Sequence, residues 1–177
     1  MYSLTLTQST KAPETVLKLS ELMSYVIYEG KSNRVKLSKE VKHIHDYLDL
    51  EKLRYSNRLE TTINIKGKID NYYMPPLILV PFIENCFKHG NTEADNIPIN
   101  INLSVIENTL HYKVKNNLKP NEGTNKKGDN RGGIGIKNAT RRLNLLYKNN
   151  YSLEIQRDKE TFTIELIMPL YDKKLNS

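Results

Sequence analysis

The sequence predicts an α+β fold, a two-layer sandwich with its helices on one face of a sheet. Strand patterns alternate with helical ones, yet most strands come in consecutive pairs joined by short turns, which favours hairpins over crossovers. The 177 residues, 38% hydrophobic and 27% charged, provide one domain with a full core and no second large one.

Taken in order, residues 9 to 30 read as a helix. Ser9 or Thr10 is placed to cap it, Pro13 falls in its first turn, and Gly30 stops it. Val16, Leu19, Met23, Val26 and Ile27 recur at helical spacing and form one apolar stripe that needs a partner. Ser38 caps a second helix, in which Val41, Ile44, Leu48 and Tyr55 repeat every three to four residues as far as about Ser56. Arg58 to Lys66 is a strand rich in β-branched residues, and Asp70-Asn71 a turn. Pro75-Pro76 opens a third helix, within which Pro81 forgoes a backbone bond and is expected to kink the axis. Ile97 to Ile106 and Thr109 to Lys115 form a hairpin around Glu107-Asn108. Lys119 to Gly132 is nearly devoid of apolar residues and rich in turn formers, so it is the candidate lid. A helix over 134 to 148 carries Ile136, Leu143 and Leu146 on one side. Tyr151 to Arg157 and Thr161 to Met168 make the closing hairpin, and the tail from Asp172 to Ser177 is polar.

Composition excludes several classes of function. No run of 18 apolar residues exists to span a membrane, and the stretch after Met1 lacks the basic start and apolar centre of a signal peptide, so a cytoplasmic location is expected. The single Cys86 forms no internal disulfide and reads as a packing thiol on an apolar helix face. Net charge is +7, but nine Lys/Arg against two acidic residues lie between Lys115 and Lys148, and the rest of the chain holds 18 of each sign. A local excess around a glycine loop fits attraction of a triphosphate better than a nucleic-acid-tracking face, although a solvated lysine-rich loop has the same composition.

The chemistry concentrates in two tracts. In Phe82-Ile-Glu-Asn-Cys-Phe-Lys-His-Gly90, Asn85, Lys88 and His89 set one amide oxygen and two cationic or hydrogen-bonding groups on adjacent faces of a helix, a set suited to Mg-bound triphosphate. In Gly132-Gly-Ile-Gly-Ile-Lys-Asn138 the glycines allow close approach to phosphate oxygens and lead into a helix N-terminus that favours anions.

These tracts resemble the ATP-binding domain of the GHKL superfamily, in particular the sensor histidine kinases of the autolysin-regulator type. The matching residues are Tyr47-Leu-Asp-Leu-Glu-Lys-Leu-Arg-Tyr55, Met74-Pro-Pro-Leu77, Ile83-Glu-Asn85, Lys88-His-Gly90, Gly133-Ile-Gly135 and Arg142-Leu-Asn-Leu-Leu-Tyr147, in the family's order over most of the chain. The resemblance implies a Bergerat-type sandwich that takes ATP and Mg2+. It implies Asn85 as the metal ligand, with Glu84 orienting a water or the metal or standing as a plain helix carboxylate. Lys88 and His89 become phosphate and lid contacts, Asn116 the adenine reader, and Gly132, Gly133 and Gly135 the base of the lid. Arg142 either reaches the phosphates or forms a salt bridge outward.

Three departures qualify that resemblance. Hydrolytic relatives carry a general-base glutamate four residues before the asparagine, and here that position is Pro81, which argues for presenting ATP to another nucleophile rather than for hydrolysis. The adenine-reading Asp-x-Gly is replaced by Asn116-Asn-Leu118, which loses a charge-assisted bond and leaves a non-catalytic interaction module as the rival. The family's phosphoacceptor tract is absent, since His43, His45 and His111 do not match it. The expected organisation is therefore a helical segment of truncated dimerisation and linker helices at 1–57, an ATP-binding domain at 58–171 and a tail at 172–177. Expected partners are the kinase's own dimerisation and phosphoacceptor domain, a response regulator and a second copy in a membrane-associated full-length protein, with no nucleic acid.

Overall fold

The computed structural model describes residues 12–119 and 134–172. A five-stranded sheet is the base of the fold, in the order β2 (Leu59–Lys66), β4 (Ile97–Ile106), β5 (Thr109–Asn117), β7 (Thr161–Pro169), β6 (Ser152–Arg157). Both expected hairpins form, β4 with β5 and β6 with β7. Around the first, Glu107 and Asn108 both take positive φ, 47° and 62°, the twist that a two-residue hairpin turn requires. β2 pairs with β4 in parallel, Leu59 opposite Ile97. That crossover runs through a helix, as parallel pairs require.

One face of this sheet is apolar and covered. Ile97, Ile99, Ile101 and Leu103 of β4 alternate inward with Leu110, Tyr112 and Val114 of β5 and Phe162, Ile164, Leu166 and Met168 of β7. The opposite face carries Asn64, Asn102, Ser104, His111, Lys113 and Glu165 around a hollow of about 300 Å³.

Helices α1 (Ala12–Ser24), α2 (Leu37–Tyr55), α3 (Val80–His89) and α4 (Ile134–Tyr147) stand beside a small second sheet of β1 (Val35–Lys36), β3 (Tyr72–Met74) and β8 (Tyr171–Asp172). Leu37, Val41, Ile44, Leu48 and Tyr55 of α2 share one core with α3, α4 and the sheet. α1 packs through Thr15 and Leu22, while Val16, Met23, Val26 and Ile27 of the predicted stripe stay exposed. It ends in a π-helical turn, Tyr25–Glu29.

Several local expectations change. The N-cap of α2 is Lys36, without a side-chain capping bond, rather than Ser38, because the chain enters the helix straight from β1. α3 starts at Val80, not at Pro75, and Pro81 therefore occupies its first turn, where a missing N–H costs nothing and no kink results. On α4, Leu146 points outward and Ala139 and Tyr147 join Ile136 and Leu143 in the core.

Candidate functional site

The site is built where α3 lies against the end of β5. Position 116 follows Leu110, Tyr112 and Val114 on the inward register of β5, so an amide there is buried among apolar neighbours. Asn116 Nδ2 donates to the Cys86 carbonyl of α3 at 3.3 Å and to the Asn117 carbonyl at 3.1 Å. Its Oδ1 has no partner and stays an open acceptor. A buried amide oxygen left unbonded is a candidate acceptor for a ligand donor.

The neighbouring Asn85 presents the same signature. It is 4% exposed, and neither its Oδ1 nor its Nδ2 is bonded. Leaving both ends of a buried amide unbonded is costly, which makes Asn85 a candidate for contact with a ligand. Cys86, between these contacts, is buried against the Phe82 carbonyl, and burial pushes its thiol up to about 12, so it serves as packing.

Close backbone approach locks these elements together. Gly90 follows α3, bridges to Leu118 and leads to the bond from Asn91 N to the Asn117 carbonyl at 3.0 Å. A Cβ on Gly90 would lie 2.3 Å from the Cys86 carbonyl and 2.6 Å from Asn116 Nδ2, so no larger residue fits. Gly135 brings the start of α4 to the same helix, where an added Cβ would stand 3.3 Å from Glu84 Oε2 and 3.4 Å from Pro81 Cβ.

Glu84 itself is on the open side of α3, and its carboxyl is pushed above the usual range by partial desolvation. Lys88 is exposed one turn beyond Asn85, and His89 is the last residue of α3. Gly132 and Gly133 lie outside the described residues, as does the expected lid from 120 onward. Arg142 is engaged otherwise than expected: its Nη1 donates to the Pro76 carbonyl at 2.5 Å, which ties α4 to the segment preceding α3. Sequence reasoning overlooked Tyr47 and Glu51, a turn apart on α2 and within electrostatic reach of Glu84. Their place four residues apart in the Tyr47 tract was the available signal. Among the described residues no cluster of three His, Cys, Asp or Glu is arranged to hold a metal, so an ion here would rely on Asn85 and on its own ligand's oxygens.

Solved structures share this architecture. The histidine kinase domain of the blue-light activated kinase EL346 from Erythrobacter litoralis superposes with TM-score 0.60 at 14% identity, covering 91% of this chain and 75% of that one. The catalytic domain of histidine kinase ThkA gives TM-score 0.52 at 10% identity over 77% of this chain and 93% of its own. The fold is thus that of a histidine-kinase catalytic domain. A family model described as Histidine kinase matches residues 1–59. Over 174 residues the chain is 26% identical to the sensor histidine kinase/phosphatase LytS of Staphylococcus aureus, covering 91% of this chain and 29% of that protein. It is 27% identical over 186 residues to the sensor protein LytS of Oceanobacillus iheyensis, with coverage of 96% and 31%. In sequence the chain is thus similar to the LytS-type sensor histidine kinases. It spans less than a third of the length of these relatives. No helix among the described residues is long and apolar enough to cross a membrane.

Proposed function

We propose that this chain binds ATP with Mg2+ and presents the γ-phosphate to a histidine located outside the 177 residues, as the catalytic domain of a two-component sensor kinase. The observation that carries the reading is the pair of buried, unbonded amide oxygens on Asn85 and Asn116, joined through the Cys86 carbonyl. Asn116 Oδ1 accepts the adenine amino group, and Asn85 Oδ1 supplies the hard oxygen that Mg2+ prefers. When bound there, the ion neutralises charge on the phosphate oxygens. Lys88, His89 and the Gly132, Gly133 and Gly135 loop contact the phosphates, and Glu84 orients a water beside them. In the transfer, the bond from the γ-phosphorus to the bridging oxygen breaks, a phosphorus–nitrogen bond to imidazole forms, and ADP leaves.

Among the described histidines, buried His43 makes a poor acceptor. His43 is buried under the Tyr25 ring, and burial pulls its pKa down to about 4, while His111 lies on the open face of the sheet. Pro81 in the first turn of α3 offers no base for water, which favours presentation over hydrolysis. The dimerisation partner and a response regulator complete the proposed system, and the full-length protein is assigned to the cytoplasmic membrane.

Titration calorimetry with a non-hydrolysable ATP analogue, with and without Mg2+, tests this directly. Binding by the wild type should strengthen with Mg2+, and Asn85→Ala should lose that metal dependence while still taking up nucleotide about ten- to a hundredfold more weakly, as for loss of a metal-orienting contact. No binding by the wild type would make the chain an interaction module instead.

A further inference from the structure

The turn that launches α3 is held by a single carboxylate. Glu40, in the first turn of α2 and fully buried, accepts from the backbone N–H groups of Leu77 at 2.7 Å, Ile78 at 3.2 Å and Leu79 at 3.3 Å. Its fourth donor is the Tyr25 hydroxyl at 2.6 Å, which comes from the π-helical turn at the end of α1. Burial raises the Glu40 pKa, and these donors offset that effect. Leu77 has φ 59°, a left-handed conformation that a leucine holds only when its surroundings enforce it.

Two further contacts converge on the same segment. Gly30, just after the π-helical turn, lies so near that a Cβ there would come within 3.0 Å of Leu77 Cδ1. From the other side Arg142 of α4 binds the Pro76 carbonyl. Residues 76–79 are therefore the meeting point of α1, α2 and α4, and α3 carries Asn85 only six residues after Leu79.

We propose that Glu40 is a positioning residue for the nucleotide site, transmitting the position of α1 through the Tyr25 hydroxyl to the 77–79 turn and so to Asn85. The physical reason is that a fully buried carboxylate cannot replace a lost donor with water. If α1 shifts and withdraws the Tyr25 hydroxyl, Glu40 must turn toward a new partner or take up a proton, and either change loosens its hold on the three N–H groups. α1 and the start of α3 then move together. Coupling of this kind is reciprocal, so bound nucleotide must also bias α1. The inference rests on the nucleotide-binding reading of Asn85 and Asn116.

The test uses the whole chain as wild type, Tyr25→Phe and Glu40→Gln, with calorimetric titration of Mg-bound non-hydrolysable ATP analogue, thermal unfolding, and hydrogen exchange at residues 25–29 and 77–79. Tyr25→Phe keeps the ring stacked on His43 at 4.3 Å and removes only the hydroxyl. It should move the unfolding midpoint by less than about 4 °C and weaken binding about five- to tenfold. In the wild type, nucleotide should slow exchange at both segments, and in Tyr25→Phe residues 25–29 should stop responding. A merely structural role lowers the midpoint and leaves the affinity of the folded protein unchanged. Wild-type affinity in Tyr25→Phe overturns the link, whatever Glu40→Gln does. If the wild type takes up no nucleotide at all, the binding reading falls first and the proposal with it.

Discussion

At the scale of single residues, the polar groups buried in this domain divide by whether they are satisfied. Glu40 has four donors, whereas Asn85 and the Asn116 oxygen have none. The first arrangement builds the turn, and the second leaves two amide oxygens unbonded. His43 is a third case. Its Nδ1 is unbonded and burial depresses its pKa to about 4, with Asp46 opposing and Lys42 adding to that shift. The folded protein thus keeps it neutral while the unfolded chain protonates near pH 6.5. Stability present above that pH is lost as pH falls from about 6.5 toward 4, by order 3 kcal/mol in total. Glu40, held up by burial, titrates with the opposite sign, so the informative quantity is a difference. Unfolding free energy measured from pH 7 to pH 4 should fall less steeply in His43→Gln than in the wild type. Equal slopes would remove His43 as the acid-sensitive group.

At the scale of elements, sequence made legible whatever is local. The β4–β5 and β6–β7 hairpins follow from alternation and a short turn, and α2 and α4 from their apolar spacing. The second sheet was not legible, because β1, β3 and β8 have only two or three residues each and pair over distances of dozens of residues. Likewise the parallel β2–β4 pair depends on a crossover that no local pattern encodes. Motif singled out Asn85 and Asn116 as candidates, but nothing pointed to Glu40, since a glutamate in a first helical turn reads as an ordinary partner of the helix dipole. One element carries removable strain. Glu107, at φ 47° in the β4–β5 turn, occupies a conformation suited to asparagine or glycine. Glu107→Asn leaves the Tyr72 bond to Asn108 and the Leu170 bond to its carbonyl intact. It should stabilise the domain by about 0.5–1 kcal/mol, read as a rise of about 2–4 °C in the unfolding midpoint. A fall would show that Glu107 has a role outside the turn.

At the scale of the whole molecule, the helical layer is organised around α3. It touches α2 on one side, approaches α4 at Gly135, and is tied to β5 through Asn116 and the bridge between Gly90 and Leu118. Most of α3 is buried, so moving it out of place requires breaking core contacts. The chain has one thiol, Cys86, and it sits beside Asn85 with 1% exposure. Its modification by a thiol reagent therefore measures the rate at which α3 leaves the core. The native protein should react slowly, saturating Mg-bound nucleotide should slow it further, and denaturant should release a single equivalent. The molecule thus carries an internal clock for the opening of α3, readable without any label being introduced.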